Sequence, residues 1–200
     1  IDSYPEGYFS TDAWTDRALD YMKSHVSSEP HKPFFMYMAF NAPHMPIQAK
    51  PSDQARYKGK YAAGWDAMRG NRAARQAELG LFDRPHPLAP MPPGVLKWDD
   101  LDAERKELFA HYMELYAGLV DNIDQNIGRV LDFLERLGEL DNTLILLASD
   151  NGASAEGGEH GSFNENQFVN RVEPTIEQNL AHLDDWGSVR SFPNYSWGWA

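Results

Sequence analysis

"NTLILLASDNG", residues 142–152, is the stretch on which the reading of this chain turns. An unbroken apolar run, Leu144 to Ala148, stops at Ser149, Asp150, Asn151 and Gly152. A short run that is apolar at every position predicts a strand covered on both faces. "PFFMYMAF", residues 33–40, has the same character and gives way to "NAPHMP", residues 41–46. Two prolines fix φ around His44 there, which predicts a rigid turn.

Between these runs lie helical patterns. Trp14, Ala18, Met22 and Val26 recur at four-residue spacing, so residues 11–27 read as an amphipathic helix. Residues 51–80 carry a second pattern, with Tyr57, Tyr61, Trp65 and Met68 on one side. The third and strongest spans 101–137, from Leu108 through Tyr112, Leu115, Leu119, Ile123, Ile127, Val130 and Leu134 to Leu137. Gly128 within it predicts close backbone packing, and Gly138 predicts a C-cap. The five prolines of 83–99 predict a surface excursion, and Pro174 a short helix near 175–185. Helix, covered strand, long helix, covered strand predicts an α/β fold, a sheet with helices on both faces. Ligands in such folds bind beyond the carboxyl ends of the strands. His44 follows one expected strand, and Asp150 and Asn151 follow the other.

The chemistry of those residues fits such a place. A carboxylate and an amide carbonyl are hard oxygen ligands, suited to Ca²⁺ or Mg²⁺. A histidine held between prolines is a preorganised donor toward an oxyanion or a leaving group. An ordinary Asp-Asn-Gly turn and a surface-loop histidine are the bland readings of the same residues. His160, in the loop after Asp150, is a weaker candidate to line the site. Asp121 and Asp124 on the long helix read as a solvated or packed face, and Tyr57, Tyr61 and Trp65 as core.

Composition narrows the partners. A net charge of −12 argues against nucleic acid or an anionic lipid surface as the main partner. It leaves an anionic small molecule open, because a bound cation inverts the local field. No apolar run is long enough to span a membrane. The absence of cysteine excludes disulfides, thiolate metal sites and a Cys nucleophile in this chain.

The pieces "YFSTDAWTDRALDYM", "KPFFMYMAFNAPHMPIQA", "YKGKYAAGWDAMR", "DQNIGRVLDFLERLGELDNTLILLASDNGASAEGG", "GSFNEN" and "NYSWGWA" resemble the sulfatase family. They are most similar to bacterial arylsulfatases of the alkaline-phosphatase superfamily, over nearly the whole chain. The resemblance implies that Asp150 and Asn151 bind the metal, Ca²⁺ or Mg²⁺. It implies that His44 contacts the sulfate and helps protonate the departing oxygen. The reaction implied is hydrolysis of a sulfate ester to an alcohol or phenol plus inorganic sulfate. The family nucleophile is a formylglycine made from Cys or Ser in a Cys/Ser-x-Pro-x-Arg motif. Here only the near misses "SYPEG" from Ser3 and "SEPHK" from Ser28 occur, neither with Arg at the fifth place.

The expectation is therefore an internal part, residues 1–200, of one sulfatase catalytic domain. It would lack the amino-terminal nucleophile segment and the carboxy-terminal part, be inactive alone and hold an incomplete sheet. The nucleophile is expected outside this chain, the substrate is a small sulfate ester, and the resemblance favours the periplasm or the cell exterior. The alternatives are a phosphate or phosphonate monoester hydrolase of the same superfamily, or a non-catalytic module that binds a divalent cation.

Overall fold

The first amphipathic pattern closes into α1, Ser10–Ser28, in the computed structural model, which describes residues 4–82 and 87–200. Thr11, Thr15, Ala18, Leu19 and Met22 are its buried stripe, at three- and four-residue steps. The stripe is rotated from the expected row, and Trp14 faces outward. Pro51 opens α2, Pro51–Ala55, at the first helical position, where its missing N–H leaves no bond unmade. The single helical stretch expected over 51–80 is broken by turns, and α3, Gly64–Glu78, resumes it. Glu114 helps hold that break, because its Oε1 accepts the backbone N–H of Gly59 at 2.7 Å.

The strongest pattern becomes α4, Ala103–Leu137, 35 residues long. Asp102 caps its start by accepting the N–H of Arg105 at 2.8 Å, and Gly138 ends it in the left-handed conformation. Leu108, Phe109, Tyr112, Leu115 and Leu119 are buried, whereas Ile123, Ile127 and Val130 are only half-buried. The close approach expected at Gly128 is not there: no neighbour lies within 4 Å of a Cβ at that position. It occurs at Gly118, where an added Cβ would lie 3.1 Å from the backbone of Asp53, so α2 seats against α4 at that point. Two short helices follow, α5, Asn166–Val169, and α6, Ile176–Leu180. A capping box of Thr175 and Gln178 starts α6, and Pro174 precedes the cap.

The core is aromatic. Trp65, Trp98, Phe109, Tyr112 and Trp186 are buried, with Trp199 packed against them. Trp65 meets both Trp98 and Trp199 edge to face, with centroids 4.9 and 5.7 Å apart.

The expected α/β sheet is not present. Among the described residues there are helices, turns and two isolated bridges, Ser162 with Asn194 and Asn164 with Phe192, and no strand. Residues 33–40 and 143–149 carry no ladder and lie at the surface. Phe35 is 92% exposed, and Leu144 and Leu146 are each 86% exposed. An apolar run reports that its side chains gain by being covered. A strand also needs a neighbouring backbone to complete its hydrogen bonds, and these two segments pair neither with each other nor with any described segment. Ser3, where the "SYPEG" near miss begins, and His86 of the proline-rich excursion lie outside the described residues.

A polar network ties α1 and α2 to α4. Asn122 and Asn126, both buried on α4, donate to Asp12 at 3.2 and 2.8 Å, and Asn122 also donates to Asp53 at 3.3 Å. Lys50 pairs with Asp12 from the other side. Burial pushes the Asp12 carboxyl up, but the hydrogen bonds from Lys50, Asn126 and Asn122 outweigh it and hold it below its ordinary value of 3.8. A depressed carboxyl contributes stability that is present above the unfolded-state value and lost as pH falls through the folded-state value. Urea melts at stepped pH should therefore show stability falling once pH drops below 3.8. In Asp12→Asn that part of the acid dependence should be absent.

Candidate functional site

Residues 191–197 form an extended spine through the buried side of the molecule, with Ser191, Pro193, Asn194, Tyr195 and Ser196 all buried. Trp199 anchors the end of the chain to α4 by donating its indole N–H to the Phe109 carbonyl at 2.8 Å. Two loops bind to this spine. The 41–48 turn reaches it through the N–H of Ile47, which donates to Pro193 O at 3.1 Å. Gln48 Nε2 adds a bond to Ser191 O at 2.6 Å, and Asn194 Nδ2 lies 3.7 Å from Met45 Sδ. The loop after Asp150 reaches the spine next door. Ser154 N donates to the Tyr195 hydroxyl at 3.0 Å, Trp197 N to Gly158 O at 2.8 Å, and Ser196 Oγ to Glu159 O at 2.7 Å. Ser162 and Asn194 exchange backbone bonds at 2.9 Å each, and Glu165 N donates to Phe192 O at 2.7 Å.

His44 is exposed at the tip of its turn, which closes through His44 N to Asn41 O at 2.9 Å. Its Nδ1 lies 2.9 Å from Met45 O. A carbonyl only accepts, so Nδ1 carries the proton and Nε2 is the nitrogen left to meet a ligand.

Asp150 and Asn151 are exposed as well. Ser149 Oγ donates to Asn151 O at 2.7 Å, and Asn151 Nδ2 donates to Gly152 O at 2.9 Å. The Asn151 amide oxygen and the Asp150 carboxylate are thereby left as unengaged hard donors. They fit two places in the shell of a Ca²⁺ or Mg²⁺ ion, which takes six or more oxygens. Among the described residues no third acid or histidine gathers with them. Among the described residues no hydrogen bond, ion pair or ring contact joins them to His44. What relates the two candidate groups is the spine, which fastens the His44 turn and the chain downstream of Asp150 side by side.

The other flagged residues have structural partners. The His160 carbonyl accepts from the Tyr112 hydroxyl at 2.9 Å, while its buried Nδ1 has no hydrogen-bond partner among the described residues. Asp121 pairs with Arg56 at 2.7 Å, and Asp124 is a solvated charge. Trp65 is core, and Tyr61 packs against it.

Sequence reasoning did not single out Glu165 or Asn194. Both are buried, Asn194 against Met45 of the His44 turn and Glu165 against the spine at Phe192. Their only signal was membership of "GSFNEN" and "NYSWGWA", two short pieces of the family resemblance.

Comparison with known proteins gives the family. The family model described as Sulfatase matches residues 2–180. The chain belongs to the sulfatase family. An uncharacterized sulfatase of Schizosaccharomyces pombe is 36% identical over 198 residues, which covers 98% of this chain and 34% of that protein. The arylsulfatase of Klebsiella aerogenes is 32% identical over 204 residues, covering 99% of this chain and 40% of the enzyme. An N-acetylglucosamine-6-O-sulfatase of Bacteroides thetaiotaomicron is 30% identical and covers 78% of this chain and 35% of that protein. The chain thus spans between a third and two fifths of these sulfatases. Within this sulfatase chain the family model takes in the His44 turn, the Asp150–Asn151 pair and Glu165, and ends in α6 before the spine.

Gly157 shows how tightly the spine holds the loop that follows Asp150. A Cβ there would stand 1.9 Å from the Tyr195 carbonyl oxygen, a backbone atom with no side-chain freedom to yield. Gly157→Ala should therefore lower stability by about 2–3 kcal/mol in urea denaturation, as overpacking of a rigid contact does.

Proposed function

We propose that this chain is part of a sulfuric ester hydrolase of the arylsulfatase type, hydrolysing small sulfate esters to an alcohol or phenol and inorganic sulfate. In this reading residues 1–200 belong to one catalytic domain, to which they contribute His44, Asp150 and Asn151. The observation that carries it is the His44 turn: Met45 O takes the Nδ1 proton, which leaves Nε2 exposed and free to face an oxyanion. His44 then hydrogen-bonds the bridging oxygen of the ester. In its protonated form it delivers the Nε2 proton as the S–O bond breaks, so that the alcohol does not leave as a free alkoxide. Asp150 and Asn151 would hold a divalent cation, which supplies charge neutralisation for the sulfate oxygens. The backbone bends at Asp150 and Asn151, and the Asn151 Nδ2 bond to Gly152 O orients the amide so that its oxygen points elsewhere. The family nucleophile, formylglycine, is supplied by no cysteine of this chain.

Two measurements on the intact protein test this. Nitrophenyl sulfate should be hydrolysed with a higher kcat/KM than nitrophenyl phosphate. The reverse order would establish the phosphate or phosphonate monoester reading, and binding of a divalent cation without turnover of either ester would establish the non-catalytic module. His44→Ala should reduce kcat by about a hundredfold on sulfates of poorly acidic alcohols and far less on nitrophenyl sulfate, whose leaving group needs no proton. An equal loss on both would remove the acid role from His44.

A further inference from the structure

Asn151 is the one asparagine of this chain that is followed by glycine. Such a step has a chemistry of its own. The backbone nitrogen of the following residue can attack the asparagine side chain, and only a glycine puts no side chain in the way. Whether this happens in a folded chain depends on what holds the two groups.

Little holds them here. Asn151 and Gly152 are both exposed. The Gly152 N–H makes no hydrogen bond among the described residues. The Asn151 side chain is folded forward along the chain, because its Nδ2 donates to Gly152 O at 2.9 Å. That bond keeps the amide beside the residue that carries the attacking nitrogen. Ser149 Oγ donates to Asn151 O at 2.7 Å. This carbonyl is conjugated with the Gly152 nitrogen, so the bond draws electron density from the N–H and eases loss of its proton.

Other exposed asparagines are placed differently. The N–H groups that follow Asn142, Asn164, Asn166 and Asn170 are spent on Leu140 O, Phe192 O, Asn164 O and Phe168 O. They also belong to residues with side chains, Thr143, Glu165, Gln167 and Arg171. Exposure is common to all five positions. A free N–H on a residue with no side chain distinguishes Asn151.

We propose that Asn151–Gly152 is a site of spontaneous covalent modification, at which the asparagine deamidates through a cyclic imide. The Gly152 nitrogen gives its proton to water and bonds to Asn151 Cγ. The Cγ–Nδ2 bond breaks, and ammonia leaves with the proton. Water then opens the imide. Cleavage of its bond to Cγ leaves aspartate, and cleavage of its bond to the main-chain carbonyl carbon leaves isoaspartate, with one more methylene in the backbone. The net change consumes one water and releases one ammonia, with no oxidant and no cofactor. Either product sets a second negative charge next to Asp150. Isoaspartate also displaces the oxygen that Asn151 would offer a cation. That last consequence rests on the sulfatase reading of the pair, whereas the modification does not.

The test is incubation of this chain at stepped, mildly alkaline pH, followed by peptide mapping with mass spectrometry and isoaspartate identified by electron-transfer fragmentation. Asn151 should gain the mass of an amide turned to an acid, as a mixture of aspartate and isoaspartate. The rate should rise with pH, because the attacking nitrogen must lose its proton. Asn142, Asn164, Asn166 and Asn170 should stay intact over the same period. Gly152→Ala should slow the change about tenfold, because a side chain then stands at the attacking residue. The substitution fits, since no neighbour lies within 4 Å of a Cβ at that position and its φ is not left-handed. An intact Asn151, equal modification at the four comparison asparagines, or an alanine variant as fast as the wild type would each overturn the proposal. In the intact protein, turnover of nitrophenyl sulfate should fall in step with the isoaspartate fraction. Modification without that loss would count against the cation pair, and no hydrolysis of any sulfate ester against the proposed function. In both cases the peptide map still decides the modification.

Discussion

Helix α4 has one long apolar face and, among the described residues, no sheet to lay it on. The buried core is arranged by the need to cover that face. Toward its start, Leu108, Phe109, Tyr112 and Leu115 are closed over by Trp65, Trp98, Trp186 and the spine residues around Tyr195. Farther along, α1 and α2 cover it through buried amides, with Asn122 and Asn126 reaching Asp12 and Asp53. Apolar contact supplies the driving force in the first region, and hydrogen bonds fix the register in the second. The half-buried Ile123, Ile127 and Val130 show where the cover becomes thin.

The spine at 191–197 links this core to the chemistry. It is fastened to α4 by Trp199, and it gives its remaining backbone and side-chain groups to two loops. A loop tip held by backbone bonds to a buried segment is positioned without losing its exposure, which suits the role proposed for His44. The same burial takes in Glu165, whose backbone is pinned to the spine at Phe192 O and whose Oε2 has no hydrogen-bond partner among the described residues.

The helices were legible because their signal is local. Side chains three and four residues apart meet on one helix whatever the rest of the chain does, so α1 and α4 could be bounded to within two residues from spacing alone. Asp102, Gly138 and the Thr175–Gln178 pair are local for the same reason. The strands were misread because a strand is not a local object. The runs at 33–40 and 142–149 carry the apolar pattern, but the ladder that would make them strands has to come from another segment, and no described segment provides it. Gly128 and Gly118 give the same lesson on a small scale: each weakens the helix equally, and only the position of α2 selects which one is approached. At the site, His44, Asp150 and Asn151 were visible as polar residues in rigid turns just beyond apolar runs. Glu165 was invisible, since one glutamate among the chain's thirty acidic residues carries no mark of being buried.

The sequence by itself determined where α1 and α4 lie, which loops carry the candidate site residues and, through its motifs, the sulfatase family. Each of these depends on residues close together in the chain, or on a linear pattern that needs no folding to be matched. Only the tertiary structure decided that the two apolar runs stay unpaired among the described residues, that residues 191–197 fasten the His44 turn and the chain beyond Asp150 side by side, and that Glu165 is buried against that spine. These are contacts between segments up to about 150 residues apart, and the free energy of burying one segment against another is not written in either segment alone.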